Sequence, residues 1–326
     1  MKRTLSLVAV IGAVALAASP TAPLLAQAQP ATLTPPDAAW GMVFDPAKVR
    51  SSALAGHVMA HFDEAQRADL NDKIDGLSNM FGLNLRQDLG QIVAFGDSFA
   101  PADIGVAVDV GPAQTNLEGL LLANENYQSY DYGDLIIHSI QDPDQPRLFC
   151  AVLPGSDDKS GVLLLSPGQA LAEQLVDNAK AGAKVVDPAA LAGQDFFRLW
   201  VNRIPDDLFA GQPRQSNIAG MIQSLEIVGS TGEADTALAL NITLTNPARA
   251  RQIYQMAAGG KALIELAASS DPDAAKLADL LAYVRVEQPQ DNSNRLNITA
   301  LCDTQGLASV LDMLDEAGAF KDLGLE

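Results

Sequence analysis

Thr236-Ala-Leu-Ala-Leu-Asn-Ile-Thr-Leu244, followed directly by Thr245-Asn246-Pro247, is the stretch whose reading decides the fold. Leu238, Leu240, Ile242 and Leu244 alternate with Ala239, Asn241 and Thr243, which is the period of two of a strand with one buried and one wet face. Asn246 is a favoured N-cap and Pro247 suits a first helical position, so the strand is expected to lead into a helix. The device returns near the carboxyl end. Leu296, Ile298 and Ala300 alternate with Asn297 and Thr299, and the phrase Leu-Asn-Ile-Thr of 240–243 recurs at 296–299. Asp303 or Thr304 then opens a helix carrying Leu307, Val310, Leu311 and Leu314. Counted from Asn246 and from Asp303, apolar residues fall at matching offsets: Ala250, Ile253, Met256 and Ala257 against Leu307, Val310, Met313 and Leu314.

Weaker copies precede these. Ile104, Val106, Val108 and Val110 alternate with Gly105, Ala107 and Asp109 ahead of Gly111-Pro112, in a unit reaching Leu122. Another spans Val162 to Ala179 around Ser166-Pro167. Four ββα units, or two ββαββα modules, predict an α+β fold of antiparallel sheet with helices on one face and water on the other. Their unequal lengths argue against a solenoid. Upstream, Ala39 to Phe44 reads as a short first strand. Ser51 to Phe81 reads as helix, clearest at Leu70, Ile74, Leu77 and Phe81. With 183–217 read as irregular, the expected modules are 38–215, including the N-terminal helical segment, and 216–326.

The amino end reads as an address. Lys2 and Arg3 precede the apolar run Leu5 to Ala18, and Ala26-Gln27-Ala28 has the small-x-small pattern of a signal-peptidase site. Residues 1–28 are therefore expected to be a signal peptide and 29–37, rich in proline, a tether. No later run approaches the roughly 20 apolar residues of a membrane-crossing helix, and no cysteine precedes Cys150 to carry a lipid. The expected product is exported and soluble, in the periplasm or outside the cell. Cleavage would leave 298 residues, enough for one large domain or two modest ones.

Charge narrows the partners. The chain has 21 basic and 40 acidic side chains, and loss of Lys2 and Arg3 takes the net charge from −19 to −21. Such a surface repels phosphates, which excludes nucleic acid. An apolar content of 48% supports a packed core over a disordered chain. Cys150 and Cys302 are the two candidates for a disulfide in an oxidising compartment. A bridge would close a loop of about 150 residues and contribute about 5 kcal/mol in the chain-entropy model, against the alternative of two buried free thiols.

The phrase from Phe81-Gly82-Leu83 through Asp88-Leu89, leading into an apolar strand that ends near Phe95-Gly96, resembles a group of uncharacterised secreted bacterial proteins. The resemblance spans most of the mature chain and implies no activity or site. A second likeness is narrower. Ile92-Val-Ala-Phe-Gly-Asp-Ser98 is similar to the nucleophile block of GDSL-type (SGNH-like) esterases. That mechanism also needs a histidine base, an orienting acid and oxyanion donors. The family's Asp-x-x-His and Gly-x-Asn-Asp patterns are missing. Asp134 to His138 is one residue too long, Asn71-Asp72 lies upstream of Ser98, and Pro101 leads into a strand where the family has a helix.

Four stretches carry side chains of the kind that ligate metals. His57 and His61 lie one helical turn apart, but Val58 stands where a zinc protease needs glutamate, leaving Asp63, Glu64 or His138 to complete a site. Asp142 and Asp144, Ser156 to Asp158, and Gln290 to Asn294 cluster oxygen ligands without a calcium-loop spacing, as turn residues between strands do. Asn241 and Asn297 formally match glycosylation acceptors in mid-strand. No catalytic residue, metal or cofactor is assigned. Two function classes remain: a non-enzymatic binding or scaffolding protein, and an esterase using Ser98. The first would present Ala239, Asn241, Thr243, Tyr283, Arg285, Asn297 and Thr299 on a polar sheet face to a protein or small molecule.

Overall fold

Alternating side chains become pleated ladders in a computed structural model that describes residues 38–81, 84, 86–87, 89–110, 126–141, 146–154, 161–181, 191, 193–204, 220–232, 235–303 and 306–310. The expected leader and tether, the helix expected after Val110, and the Asp142–Asp144 and Ser156–Asp158 clusters lie outside the described residues. In chain order the elements are β1 (Trp40–Phe44), α1 (Pro46–Arg50), α2 (Ala53–His61), α3 (Glu64–Phe81), β2 (Leu89–Gly96), β3 (Ile104–Val110), β4 (Gln128–Tyr132), β5 (Leu135–Ile140), β6 (Leu148–Pro154), β7 (Gly161–Ser166), α4 (Gln169–Lys180), β8 (Asp195–Val201), β9 (Ile222–Thr231), β10 (Asp235–Leu244), α5 (Pro247–Ala267), α6 (Pro272–Ala282), β11 (Val284–Val286) and β12 (Arg295–Asp303). The architecture is mixed α and β with antiparallel sheet. Among the described residues no helix is long and apolar enough to cross a membrane.

Two compact units emerge, one from residues 38–50 and 64–191, the other from 51–63 and 193–310. In the first, the strands run in the order β1-β2-β3-β7-β6-β5-β4. Val43, Val93, Ala107, Leu164 and Ala151 stand directly opposite one another across five strands, each 2% exposed or less. Helix α4 lies against β6, β7 and β3 and buries Ala172, Leu175 and Val176. The opposite face is also apolar, with Met42, Ala94, Val106, Leu165 and Cys150 in one row and Phe44, Ile92, Val108, Leu163 and Val152 in the next. Across β1, β2, β3, β7 and β6 these rows put hydrocarbon where a wet face was expected, whereas edge strand β4 keeps Gln128, Ser129 and Asp131 exposed.

Local geometry explains individual residues. Phe95 faces Gly41 on one neighbouring strand and Gly105 on the other, and a Cβ on Gly105 would lie 2.8 Å from the ring's Cζ. The β4–β5 hairpin turns through Gly133 at φ 68°, a left-handed conformation that glycine adopts without strain. Asp45 caps α1, its carboxylate accepting from the backbone N–H groups of Ala47 and Lys48 at 3.0 and 3.2 Å. Asp45-Pro46 is thus the same N-cap and proline device as Asn246-Pro247.

The second unit runs β11-β12-β10-β9-β8. The two Leu-Asn-Ile-Thr phrases pair with each other, Leu240 opposite Ile298, Asn241 opposite Asn297 and Ile242 opposite Leu296. Ile242, Leu244, Ala250 and Leu296 form a buried cluster with Leu240, Ile253, Tyr254 and Ile298 packed around it. Asn246 caps α5, its side-chain oxygen accepting from the Arg249 N–H at 3.0 Å. Asp303 accepts from the Gly306 N–H at 2.8 Å, and residues 306–310 are helical.

Several expectations are corrected. Met256, one of the apolar residues that fall at matching offsets, is 57% exposed, whereas Ala250 is buried. Two helices, α5 and α6, separate β10 from β11. The single helix read from Ser51 to Phe81 is two pieces, α2 and α3, with Phe62 buried in extended backbone between them. Strand β8 lies within the stretch read as irregular and pairs along its length with β9.

Candidate functional site

The alternation that buries Leu240 and Ile242 places their neighbours on the other face of the second sheet, where a polar ladder forms. Trp200, Glu226, Asn241 and Asn297 stand opposite one another across β8, β9, β10 and β12. The adjacent row is Arg198, Val228, Ala239, Thr299 and Arg285. Arg198 spans the rows, its Nε donating to Glu226 Oε1 at 2.8 Å and its Nη2 lying 2.6 Å from the same oxygen. Asn241 Nδ2 donates to the other carboxylate oxygen of Glu226 at 3.0 Å. Toward the edge, Asn297 Nδ2 donates to Glu287 Oε2 at 3.3 Å.

The centre of this face is half-buried and internally bonded, whereas Arg285, Arg295 and Asn297 are exposed at its β11–β12 side. Thr243 lies between Ser224 and Arg295. A fixed array of this kind offers donors, acceptors and two outward guanidinium groups to a partner, and guanidinium forks suit carboxylates. Six of the seven residues expected on a polar face are brought together here. The seventh, Tyr283, follows α6, and its ring packs where a Gly306 side chain would otherwise stand, 2.7 Å from the would-be Cβ.

Ser98 lies in the bend between β2 and β3. Its Oγ donates to Asp103 Oδ2 at 2.6 Å and accepts from the Ala100 N–H at 3.0 Å. Its carbonyl accepts from Trp40 Nε1 at 2.8 Å, and the Trp40 and Phe99 rings stack 5.4 Å apart. His138 is on β5, buried, opposite Cys150 and Ser129, with Nδ1 2.9 Å from the Tyr127 hydroxyl. The hydroxyl of Ser98 is thus engaged by its own loop, and the imidazole is engaged by Tyr127.

His57 and His61 both fall on α2, whose histidine side chains are outside the described set; Asp63 follows that helix and Glu64 begins α3. Gln290 to Asn294 form the turn into β12: Asn294 Nδ2 donates to the Leu244 carbonyl at 2.8 Å, and Asp291 pairs with Arg251 at 3.3 Å. Cys150 and Cys302 are free, buried thiols. Burial pushes Cys150 up to about 11; burial and then the Asp303 charge raise Cys302. Both thiols are held in the protonated, unreactive form.

Two groups went unread in the sequence. Tyr130 and Tyr132 reach from edge strand β4 to α4, their hydroxyls donating to Glu173 at 2.9 Å and Asp177 at 2.8 Å. Burial and the Glu173 bond push Tyr130 to about 12, and the Asp177 bond raises Tyr132. Lys180 pairs with Asp134 beyond the hairpin, which lowers the Asp134 carboxyl, and sits over the Tyr132 ring. Tyr-x-Tyr at strand spacing, ahead of Gly-Asp, was the available signal. The other group is Asp109, raised chiefly by burial, opposed by a bond from the Gln91 backbone and reinforced by Asp45.

No protein-family model matches the chain, and no curated protein matches its sequence. Among solved structures the chain is similar to three crystal forms of TP0453. Form III superposes with a TM-score of 0.45 at 10% identity, over 88% of this chain and 99% of TP0453. Form I gives 0.43 at 9%, over 89% and 98%, and form IV gives 0.44 at 12%, over 87% and 97%.

Proposed function

We propose that this chain is an exported, acidic, non-enzymatic protein of the cell envelope or extracellular space that binds a polar partner through the outward face of β8–β9–β10–β12–β11. The observation that carries the reading is the ladder of Arg198, Glu226, Asn241 and Asn297, a preorganised polar surface with Arg285 and Arg295 beside it. On a chain of net charge −19, two outward arginines make this face suited to an acidic or uncharged polar partner. The leader supports export, and the paired Leu-Asn-Ile-Thr strands with their capped helices support an origin by duplication of a strand–helix unit.

A photo-crosslinking residue at Thr299, compared with one at exposed Gln174 on α4, tests the binding face in producing cells. A discrete adduct from Thr299 that disappears in Arg285→Glu/Arg295→Glu is expected. Equal labelling from both positions, or none from Thr299, would overturn the reading. Amino-terminal sequencing of the exported protein should begin near Gln29. Turnover of short-chain esters that vanishes in Ser98→Ala would replace binding with the esterase function.

A further inference from the structure

The outward face of the second sheet carries an indole among its polar groups. Trp200 on β8 stands opposite Glu226 and begins the row that continues through Asn241 to Asn297. The two tryptophans of the chain are held differently. Trp40 is 6% exposed and its Nε1 donates to the Ser98 carbonyl at 2.8 Å. Trp200 is half-buried, with no hydrogen-bond partner for its indole N–H and no ring contact among the described residues. Every buried side-chain nitrogen and oxygen described has a partner, so this N–H is open to solvent.

Bonds within the ladder fix what remains free. Glu226 engages Arg198 and Asn241 with its two carboxylate oxygens, and Glu287 accepts from Asn297. Each asparagine therefore turns Nδ2 to a glutamate and leaves Oδ1 without a donor among the described residues. The guanidinium groups of Arg285 and Arg295 likewise have no acceptor among those residues. With strands about 4.8 Å apart, the row from Trp200 to Asn297 is about 14 Å long, so one flat strip holds an indole, fixed acceptors and free donors together.

Charge on this face does not favour one sign. Arg198 is paired with Glu226, and Arg285 and Arg295 lie on either side of the Glu287–Asn297 bond. Asp195, opposite Ser230, and Asp235, opposite Asp303, stand toward the other end. A highly charged polymer of either sign would meet like charge somewhere along the face, whereas an uncharged partner would not. A protein interface keeps apolar residues at its centre and charged ones at its rim, but the middle of this face is the Arg198–Glu226–Asn241 network. Sugar hydroxyls donate and accept at once, which matches donors and acceptors set side by side. The C–H face of a pyranose ring is weakly positive, which suits the negative face of an indole.

We propose that the partner of this face is an uncharged polysaccharide, one sugar ring lying on Trp200 and the hydroxyls of the following rings exchanging hydrogen bonds with Asn241 and Asn297. The inference rests on the binding face proposed above and names the chemistry that it recognises.

Calorimetric titration of the full chain with cellohexaose and with the hexamer of N-acetylglucosamine tests the proposal, with tryptophan fluorescence as a second readout. Saturable binding of at least one hexamer is expected, with a fluorescence change that Trp200→Phe removes. Trp200→Ala should weaken binding by about tenfold or more. Asn297→Ala, at an exposed site, should weaken it by about threefold while leaving the melting temperature unchanged, which keeps the test open if loss of Trp200 disturbs β8. Affinity should hold between about 0.05 M and about 0.5 M salt, because no ion pair is formed. Binding of neither hexamer, binding indifferent to both alanines, or preference for a galacturonate hexamer that salt abolishes would overturn the proposal. A protein adduct at Thr299 with no hexamer bound would overturn the polysaccharide alone and leave the binding face standing; absence of both would remove the face itself.

Discussion

Gly105→Ala is the sharpest test of the register in the first unit. Gly105 faces Phe95 across β2 and β3, and Phe95 is 2% exposed. An added Cβ would stand 2.8 Å from Cζ, 3.0 Å from Cε2 and 3.4 Å from Cε1, against about 3.5–4.0 Å for unstrained carbon contacts. The ring is confined between β1 and β3, so relief requires strand displacement or an off-rotamer ring. Overpacking of this kind costs about 1–3 kcal/mol. Gly105 has no positive φ, so alanine also gains about 0.4–1 kcal/mol by restricting the unfolded chain, and the net loss should be about 1–2 kcal/mol. Phe95→Leu alone should lose roughly 1–2 kcal/mol through missing ring contacts. Combined, the changes should be less damaging than their sum by about 1 kcal/mol or more, because leucine removes the atoms that the alanine strikes. Urea unfolding followed by Trp40 fluorescence reads the cycle from β1. Additivity within about 0.5 kcal/mol would show that the two residues do not meet and that the register is wrong.

Three further outcomes follow from the same structure. Ile242→Asp should destabilise the second unit by more than about 4 kcal/mol by placing a carboxylate in the cluster with Leu244, Ala250 and Leu296, whereas Thr243→Asp on the polar face should change stability by less than about 1 kcal/mol; equal losses in thermal unfolding would invert the face assignment. Tyr130, raised to about 12, contributes stability that is complete below pH 10 and lost as pH rises toward 12, since the unfolded chain gives up its proton first. Tyr130→Phe should therefore flatten the fall in melting temperature between pH 10 and 12, and an unchanged slope would remove Glu173 as its partner. Ellman's reagent should find two thiols in denaturant and almost none in the native protein; none in denaturant would mean that Cys150 and Cys302 are bridged.

How far the sequence was legible depended on whether a strand has one wet face. Strands β10 and β12 were read correctly because Asn241, Thr243, Asn297 and Thr299 interrupt the hydrocarbon at every second residue. In β7, Gly161-Val-Leu-Leu-Leu-Ser166 buries side chains on both faces, so no alternation exists to read. Strand β8 was hidden differently. Asp-Phe-Phe-Arg-Leu-Trp-Val is rich in strand-forming aromatics, but its bulge opposite Ser230 and Gly229 shifts the phase and blurs the period. The break at Phe62 carries neither glycine nor proline, and the helical period of 51–81 runs through it. Asp45-Pro46 was fully legible by the rule applied to Asn246-Pro247.

The apolar offsets counted from Asn246 do not share one environment in α5: Ala250 is buried and Met256 is 57% exposed. Helix α5 has 21 residues, about 31 Å, and the sheet cluster holds its first two turns. Beyond Tyr254, Lys261 ties the helix to the end of α6 and the start of β11 through the Leu281 and Val284 carbonyls. Leu263 and Leu266, past that point, are 68% and 72% exposed. Arg198, Glu226 and Asn241 are half-buried yet satisfy one another, so substitution by valine or threonine would keep the strands paired while removing the fixed donors and acceptors. A face maintained only for strand packing would tolerate that exchange with no change in crosslinking at Thr299, whereas a binding face would lose its adduct while the melting temperature held.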